Sequence, residues 1–282
     1  MDVDGDGTPD LLVCRDGISG DTAKFQLYKL TPAGFVFDRE LNIGTEQNPS
    51  AANSTPWEKI SFQDVNSDGK QDVMIREFNP SAPDALVFYT NNGNTFTFAF
   101  RRSLGVEGPK ASLGNFTGGA RLDLVEDYSA KLVGGGWRVQ YKVYTNTLVG
   151  FAPEALDFSL SVREPDRVSL LDMNGDGKSD LVVDRSGERR TNGLIYDVYF
   201  NAGSGFHSTP TAYKAGGFWE DFRRTLMDMN GDGLPDLVIN FDGYKTEKYS
   251  QRGIYLVYEN TVNGFALLPK SIAGPDVPHE RV

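Results

Sequence analysis

Residues 172–180 read DMNGDGKSD, and residues 228–236 return almost the same phrase as DMNGDGLPD. Looser copies begin at Asp2 (DVDGDGTPD), Asp64 (DVNSDGKQD) and Asn115 (NFTGGARLD). The starts at 2, 64, 115, 172 and 228 lie 51 to 62 residues apart, a period that marks a tandem structural repeat. Within a copy, side-chain oxygens recur at positions 1, 3, 5 and 9 with glycine at position 6. Oxygens so spaced on a short, sharply turned loop suit a hard divalent cation.

The spacing matches the first nine positions of an EF-hand loop, and calcium is the expected ligand at about four sites. The side-chain donors are Asp172, Asn174, Asp176 and Asp180 in one loop and Asp228, Asn230, Asp232 and Asp236 in another. The remaining sets are Asp64, Asn66, Asp68 and Asp72, and Asp2, Asp4, Asp6 and Asp10. Position 7 offers a backbone carbonyl: Lys178, Leu234, Lys70 and Thr8 respectively. In the loop at Asn115, Thr117 and Gly119 replace donors and only Asp123 survives as a carboxylate, so that loop is expected to be empty.

An EF-hand continues to a bidentate Glu at position 12 between two helices. Here each loop runs instead into a short apolar, β-branched segment: Leu11–Val13, Val73–Ile75, Leu181–Val183 and Leu237–Ile239. These read as strands. Alternating apolar residues lead into several loops, as at Ile60 and Phe62 or Val168 and Leu170, although Arg224 breaks the pattern in the last copy. Further on come VFYT at Val87, YKVYTN at Tyr141, YDVYFN at Tyr196 and YLVYEN at Tyr255, each followed by a turn. A phenylalanine, usually after glycine, closes every turn: Phe35, Phe96, Phe151, Phe206 and Phe265. A unit of this length holds one four-stranded antiparallel sheet. Such sheets in tandem most often form a β-propeller, so the fold class is all-β and residues 1–282 are expected to be one propeller domain or a piece of one.

The DxDxDG loop with its Leu-Val strand and later Gly-Phe turn resembles the FG-GAP or VCBS repeat of integrin α-subunit propellers and many bacterial surface and secreted proteins. The phrases DMNGDGLPDLV and FNAGSGF are most similar to repeats of SpvB-like and Rhs-type toxin proteins. The resemblance implies seven blades, of which five repeats are countable here. The chain is therefore expected to be a fragment, with other domains of a larger polypeptide beside it.

Net charge is −11, the wrong sign for nucleic acid. The four complete loops carry 13 carboxylates, and four bound dications would bring the net charge to −3. No apolar run reaches the roughly 18 residues of a transmembrane helix. Weak calcium sites suit an extracellular setting, secreted or at the cell surface. Cys14 is alone and is expected at a strand end, and His207 and His279 have no catalytic companions in sequence.

A non-enzymatic binding or scaffold module of a secreted or surface protein, with a toxin component as one candidate parent, is thus the expected function. The alternatives are a lectin-like propeller and, with less support, a polysaccharide lyase. Calcium loops and Gly-Phe turns are expected to share one face, leaving a protein or glycan ligand for the opposite face. Variable segments there hold Trp57, Trp137, Trp219, Phe78 and Tyr244.

Overall fold

The computed structural model describes residues 2–14, 24–43, 60–77, 84–104, 110–133, 135–147, 149–162, 167–185, 193–216, 223–240 and 254–273. Among them every regular element is a strand, as the period-two patterning requires, so the chain is all-β and of propeller-like repeat type. The contacts divide it into two compact units, Met1–Leu113 with Gly119–Tyr128 and Lys142–Ala155, and Gly114–Gly118 with Ser129–Tyr141 and Leu156–Val282.

In the first unit, the first repeat supplies β1 (Asp10–Cys14), β2 (Lys24–Thr31) and β3 (Gly34–Ile43). The second supplies β4 (Ile60–Gln63), β5 (Asp72–Glu77), β6 (Ala85–Asn91) and β7 (Thr95–Ser103). The two repeats merge into a single seven-stranded sheet, ordered β1-β2-β3-β7-β6-β5-β4. The seam is a short parallel pairing of Asn42 with Thr95 and Ile43 with Phe96, which the sequence does not announce. Phe25, Leu27, Leu41, Val73, Val87 and Phe96 form one core. Val65, Leu86, Phe88, Leu104 and Leu124 form another.

The third repeat is shared out between the units. β8 (Lys110–Gly114) up to Leu113, β9 (Asp123–Asp127), β12 (Asn146–Thr147) and β13 (Gly150–Phe151) fall in the first. β10 (Ala130–Lys131) and β14 (Leu156–Val162) fall in the second, and β11 (Trp137–Tyr144) begins in the second and ends in the first. Trp137, expected in a variable loop, instead opens strand β11, so its ring belongs to a sheet and not to a free connection.

The second unit also holds two regular four-stranded antiparallel sheets. One is β15 (Arg167–Leu171), β16 (Asp180–Asp184), β17 (Leu194–Tyr199) and β18 (Thr211–Ala215) in chain order. The other is β19 (Arg223–Met227), β20 (Asp236–Asn240), β21 (Ile254–Tyr258) and β22 (Lys270–Ala273), also in chain order. Met173, Val182, Tyr196, Val198, Tyr213, Leu237, Ile239, Tyr258 and Phe265 make their shared core. The break in alternation at Arg224 has a cause: its guanidinium reaches buried Asp184, Nη2 to Oδ2 at 3.2 Å. A paired charge is tolerated at a position that would otherwise be apolar.

Four of the five closing phenylalanines pack on the preceding repeat. Phe96 meets Phe25 edge-on at 5.8 Å, Phe151 meets Phe88 at 5.3 Å, Phe206 meets Phe158 at 5.3 Å and Phe265 meets Tyr213 at 5.3 Å. Phe35, with no earlier repeat among the described residues, is 50% exposed. Cys14 does end a strand. Trp57, Trp219, Phe78, Tyr244 and His279 lie outside the described residues.

Candidate metal centres

The loops at Asp64, Asn115, Asp172 and Asp228 each link an approach strand to an exit strand, the loop at Asp2 leads into β1, and the loops' own side chains shape them. Asp172 Oδ1 accepts hydrogen bonds from the backbone of Gly175 (2.7 Å) and Asp176 (3.2 Å), and its Oδ2 accepts one from Gly177 (2.7 Å). Asp64 gathers Ser67, Asp68 and Gly69, Asp2 gathers Gly5, Asp6 and Gly7, and Asp228 gathers Gly231 and Gly233. Backbone donors hold the Asp228 carboxyl below the ordinary carboxylate range, the Gly233 N–H most of all.

Wrapping the chain around one carboxylate needs left-handed backbone at positions 4 and 6. Gly175 and Gly177 have φ of 77° and 82°, and Gly231 and Gly233 of 80° and 87°. In the second loop Ser67 takes the position-4 role at φ 63°, a conformation that costs a non-glycine residue about 1–2 kcal/mol. The glycine at position 6 is legible as part of the calcium motif; the demand at position 4 shows only in the backbone.

Position 3 and position 5 side chains line the exposed side of the wrap. Asn66, Asn174 and Asn230 accept from the position-5 amide through Oδ1 at 2.9, 3.0 and 2.9 Å. Asp68, Asp176 and Asp232 accept from the position-7 amide at 2.9, 2.8 and 2.8 Å. Lys178 Nζ also reaches Asp176 Oδ2 at 2.7 Å. Burial is the largest single influence on the Asp176 carboxyl and pushes it up, but the hydrogen bonds and charge of Lys178 with the hydrogen bond of Asn174 together outweigh it, and the net shift is downward.

The position-9 aspartates are placed differently. Asp72, Asp180 and Asp236 are buried, with exposures of 1%, 0% and 0%. Their Oδ2 atoms accept the position-2 amide of the same loop, from Val65 (2.9 Å), Met173 (2.9 Å) and Met229 (3.1 Å). Their Oδ1 atoms accept the backbone amide of an asparagine at or just beyond the end of the third strand: Asn91 (2.7 Å), Asn201 (2.8 Å) and Asn260 (2.8 Å). Burial pushes the Asp180 carboxyl up to about 6 and raises Asp72, despite these donors. Position 9 is therefore a scaffold carboxylate as well as a candidate ligand.

Those asparagines carry the loop into the next repeat. Asn91, Asn146, Asn201 and Asn260 each donate through Nδ2 to the position-2 carbonyl of the preceding loop, at Val3 (2.7 Å), Val65 (2.8 Å), Phe116 (3.0 Å) and Met173 (3.0 Å). Loops and Gly-Phe turns therefore do lie at the same end of these sheets, as antiparallel order requires. The recurring asparagine of YTN, YFN and YEN was visible in sequence as a repeat, but its partner was not.

The third loop keeps this scaffold without the donors at positions 3 and 5. Asn115 Oδ1 accepts from Gly118 at 2.9 Å, Asp123 is buried and Phe116 is fully buried beside Phe158. In the first loop Asp2, Asp4 and Asp10 each place an oxygen within 4.8 Å of the others. Lys29 Nζ sits among them, 2.5 Å from Asp4 Oδ2, bonded to Asp6 Oδ2 and 3.7 Å from Asp10 Oδ1. Its hydrogen bond holds the Asp6 carboxyl well below the usual range.

Aspartate-rich loops at the heads of antiparallel sheets define a tandem loop-and-strand type of repeat protein. The FG-GAP-like repeat model matches residues 2–75 and 172–239, just over half of the chain, and the chain belongs to that family. The two matched spans hold the four complete loops, whereas the third loop falls outside them. No curated protein matches the chain. Among the described residues no helix is long and apolar enough to cross a membrane.

Proposed function

We propose that this chain is a non-enzymatic, calcium-stabilised propeller module with four-stranded blades, serving as a binding or scaffold part of a secreted or surface protein. The supporting observation is the preorganised wrap: a position-1 aspartate holds the loop backbone while position-3 and position-5 oxygens stand on the exposed side. The donor set at Asp64, Asp172 and Asp228 (two aspartates and an asparagine, a position-7 carbonyl and the position-9 carboxylate) suits a hard cation with oxygen ligands. Bound there, calcium would neutralise carboxylates that otherwise repel one another. A surface or toxin-associated protein of the SpvB or Rhs kind is the parent that the phrases at 228–238 and 200–206 favour. Isothermal titration of calcium into the metal-stripped chain tests the reading, with no heat at millimolar calcium as the result that removes it.

A glycan-binding role is the second reading, favoured by one cleft. Arg167, Ser169, Asp184, Tyr196, Arg224 and Thr225 line a cavity of about 220 Å³ on the two regular sheets. Arg167 pairs with Asp184, and Asp184 with Tyr196, at the strand ends far from the loop that follows Leu171. Paired charges beside a tyrosine ring can hydrogen-bond and stack a sugar. A glycan array separates the readings, since a scaffold returns no specific signal.

A further inference from the structure

We propose that the first loop is closed by cations of its own chain, Lys29 assisted by Arg39, and does not take the metal ion that its four aspartates suggest. The proposal uses the calcium reading of the other loops only as its comparison. Lys29 Nζ contacts the side chains at positions 3, 5 and 9, and Arg39 Nη2 lies 2.9 Å from Asp4 Oδ2. An ammonium in contact with three of the four side-chain ligands occupies the space of a dication and repels one. Asp4 Oδ1 is buried and accepts no hydrogen bond, and the other oxygen of that carboxylate is already held by both cations.

Three substitutions relative to the other repeats converge on this arrangement. Lys29 pairs with Asp10 across β1 and β2; one step beyond the pairs Val73–Tyr89, Leu181–Tyr199 and Leu237–Tyr258, the same place is Thr90, Phe200 and Glu259. None of these is a cation. The next residue is Leu30 where the other repeats have Asn91, Asn146, Asn201 and Asn260, so the side-chain amide that hooks those turns to the preceding loop is missing here, and the Lys29 ammonium lies 3.7 Å from Asp10 Oδ1. Position 3 is Asp4 where the other complete loops have Asn66, Asn174 and Asn230, and the extra carboxylate holds both cations. The site is enclosed: the Lys29 side chain is 23% exposed, Asp4 12% and Asp10 0%.

Hydrogen exchange on the whole chain, in EDTA and at millimolar calcium, tests the proposal with Lys29→Met as the variant. In EDTA the amides of Gly5, Asp6 and Gly7 should exchange about tenfold more slowly than those of Gly231 and Gly233. Calcium should leave the first-loop rates unchanged while slowing residues 175–177 and 231–233. Lys29→Met should speed the first loop in EDTA by about tenfold and make it respond to calcium. Calcium slowing the wild-type first loop along with the others, or Lys29→Met matching wild type in EDTA, overturns the proposal. If no loop responds to calcium, the calcium reading falls, and the Lys29 closure is still decided by the two EDTA comparisons. Should Lys29→Met not fold, Asp6→Asn removes one partner of the ammonium from a more exposed position; faster first-loop exchange supports the proposal and unchanged exchange overturns it.

Discussion

Aspartates one, five and nine of a loop look alike in sequence and do different work. Asp236 is buried and satisfies two backbone amides, whereas Asp232 is exposed. Removing a buried acceptor strands each donor at about 1–3 kcal/mol. Asp236→Ala should therefore cost about 2–4 kcal/mol in EDTA by urea unfolding, while Asp232→Ala stays within about 0.5 kcal/mol and weakens calcium binding instead. Protons report the same distinction. Unfolded, Asp180 titrates near about 4, but burial pushes the folded group up to about 6. The folded chain thus binds that proton more tightly. Its stabilisation is complete below about pH 4 and is lost as pH rises through about 6. The denaturation midpoint of the metal-free chain should fall between pH 5 and pH 7, and saturating calcium should abolish or invert the trend because it favours the ionised carboxylate.

Turns and loops are coupled across consecutive repeats by the strand-ending asparagines. Asn260 joins three groups: its amide meets Asp236, its Nδ2 meets the Met173 carbonyl, and its Oδ1 accepts the Val262 amide. Asn260→Ala should cost about 1–3 kcal/mol, and the exchange of residues 172–180 in the previous loop should quicken although the mutation lies in the next repeat. A merely local turn residue would leave that loop untouched. Position 6 makes the complementary test. Gly233, at φ 87°, has open space where a side chain would point, so Gly233→Ala should destabilise by about 1–2 kcal/mol through backbone strain alone, read from the urea midpoint.

Stacking of one repeat on the previous one gives the chain its larger order. Phe96 is fully buried against Phe25 and Phe62, and Phe35 at the same place in the first repeat is half exposed. Phe96→Ala should cost about 3–5 kcal/mol and Phe35→Ala well under 1 kcal/mol, measured by urea unfolding. On the proposed calcium reading, bound ions would add to the same cohesion by mass action: at a hundredfold excess over Kd each site would contribute about 2.7 kcal/mol. Raising calcium should lift the thermal midpoint, and Asp172→Asn should remove one share of that gain. The seven-stranded sheet shows that successive repeats need not stay separate, since β3 and β7 bond edge to edge.

Spacing and alternation in the sequence were enough to reveal the repeat, the all-β class and the shared end for loops and turns, and they singled out the oxygens on which the calcium proposal rests. Those features depend on local turn geometry and on period-two alternation, which are written in adjacent residues. The division of labour among the aspartates was hidden, because burial of Asp72, Asp180 and Asp236 depends on what covers them. So were the asparagine hooks, whose acceptors lie 81 to 88 residues away in the chain. Nothing in the sequence marks Lys29; pairing with Asp10 is what sets its ammonium among the carboxylates. Oxygen count is a property of the chain, whereas which charge reaches those oxygens first follows from strand register, and register forms only when distant segments meet.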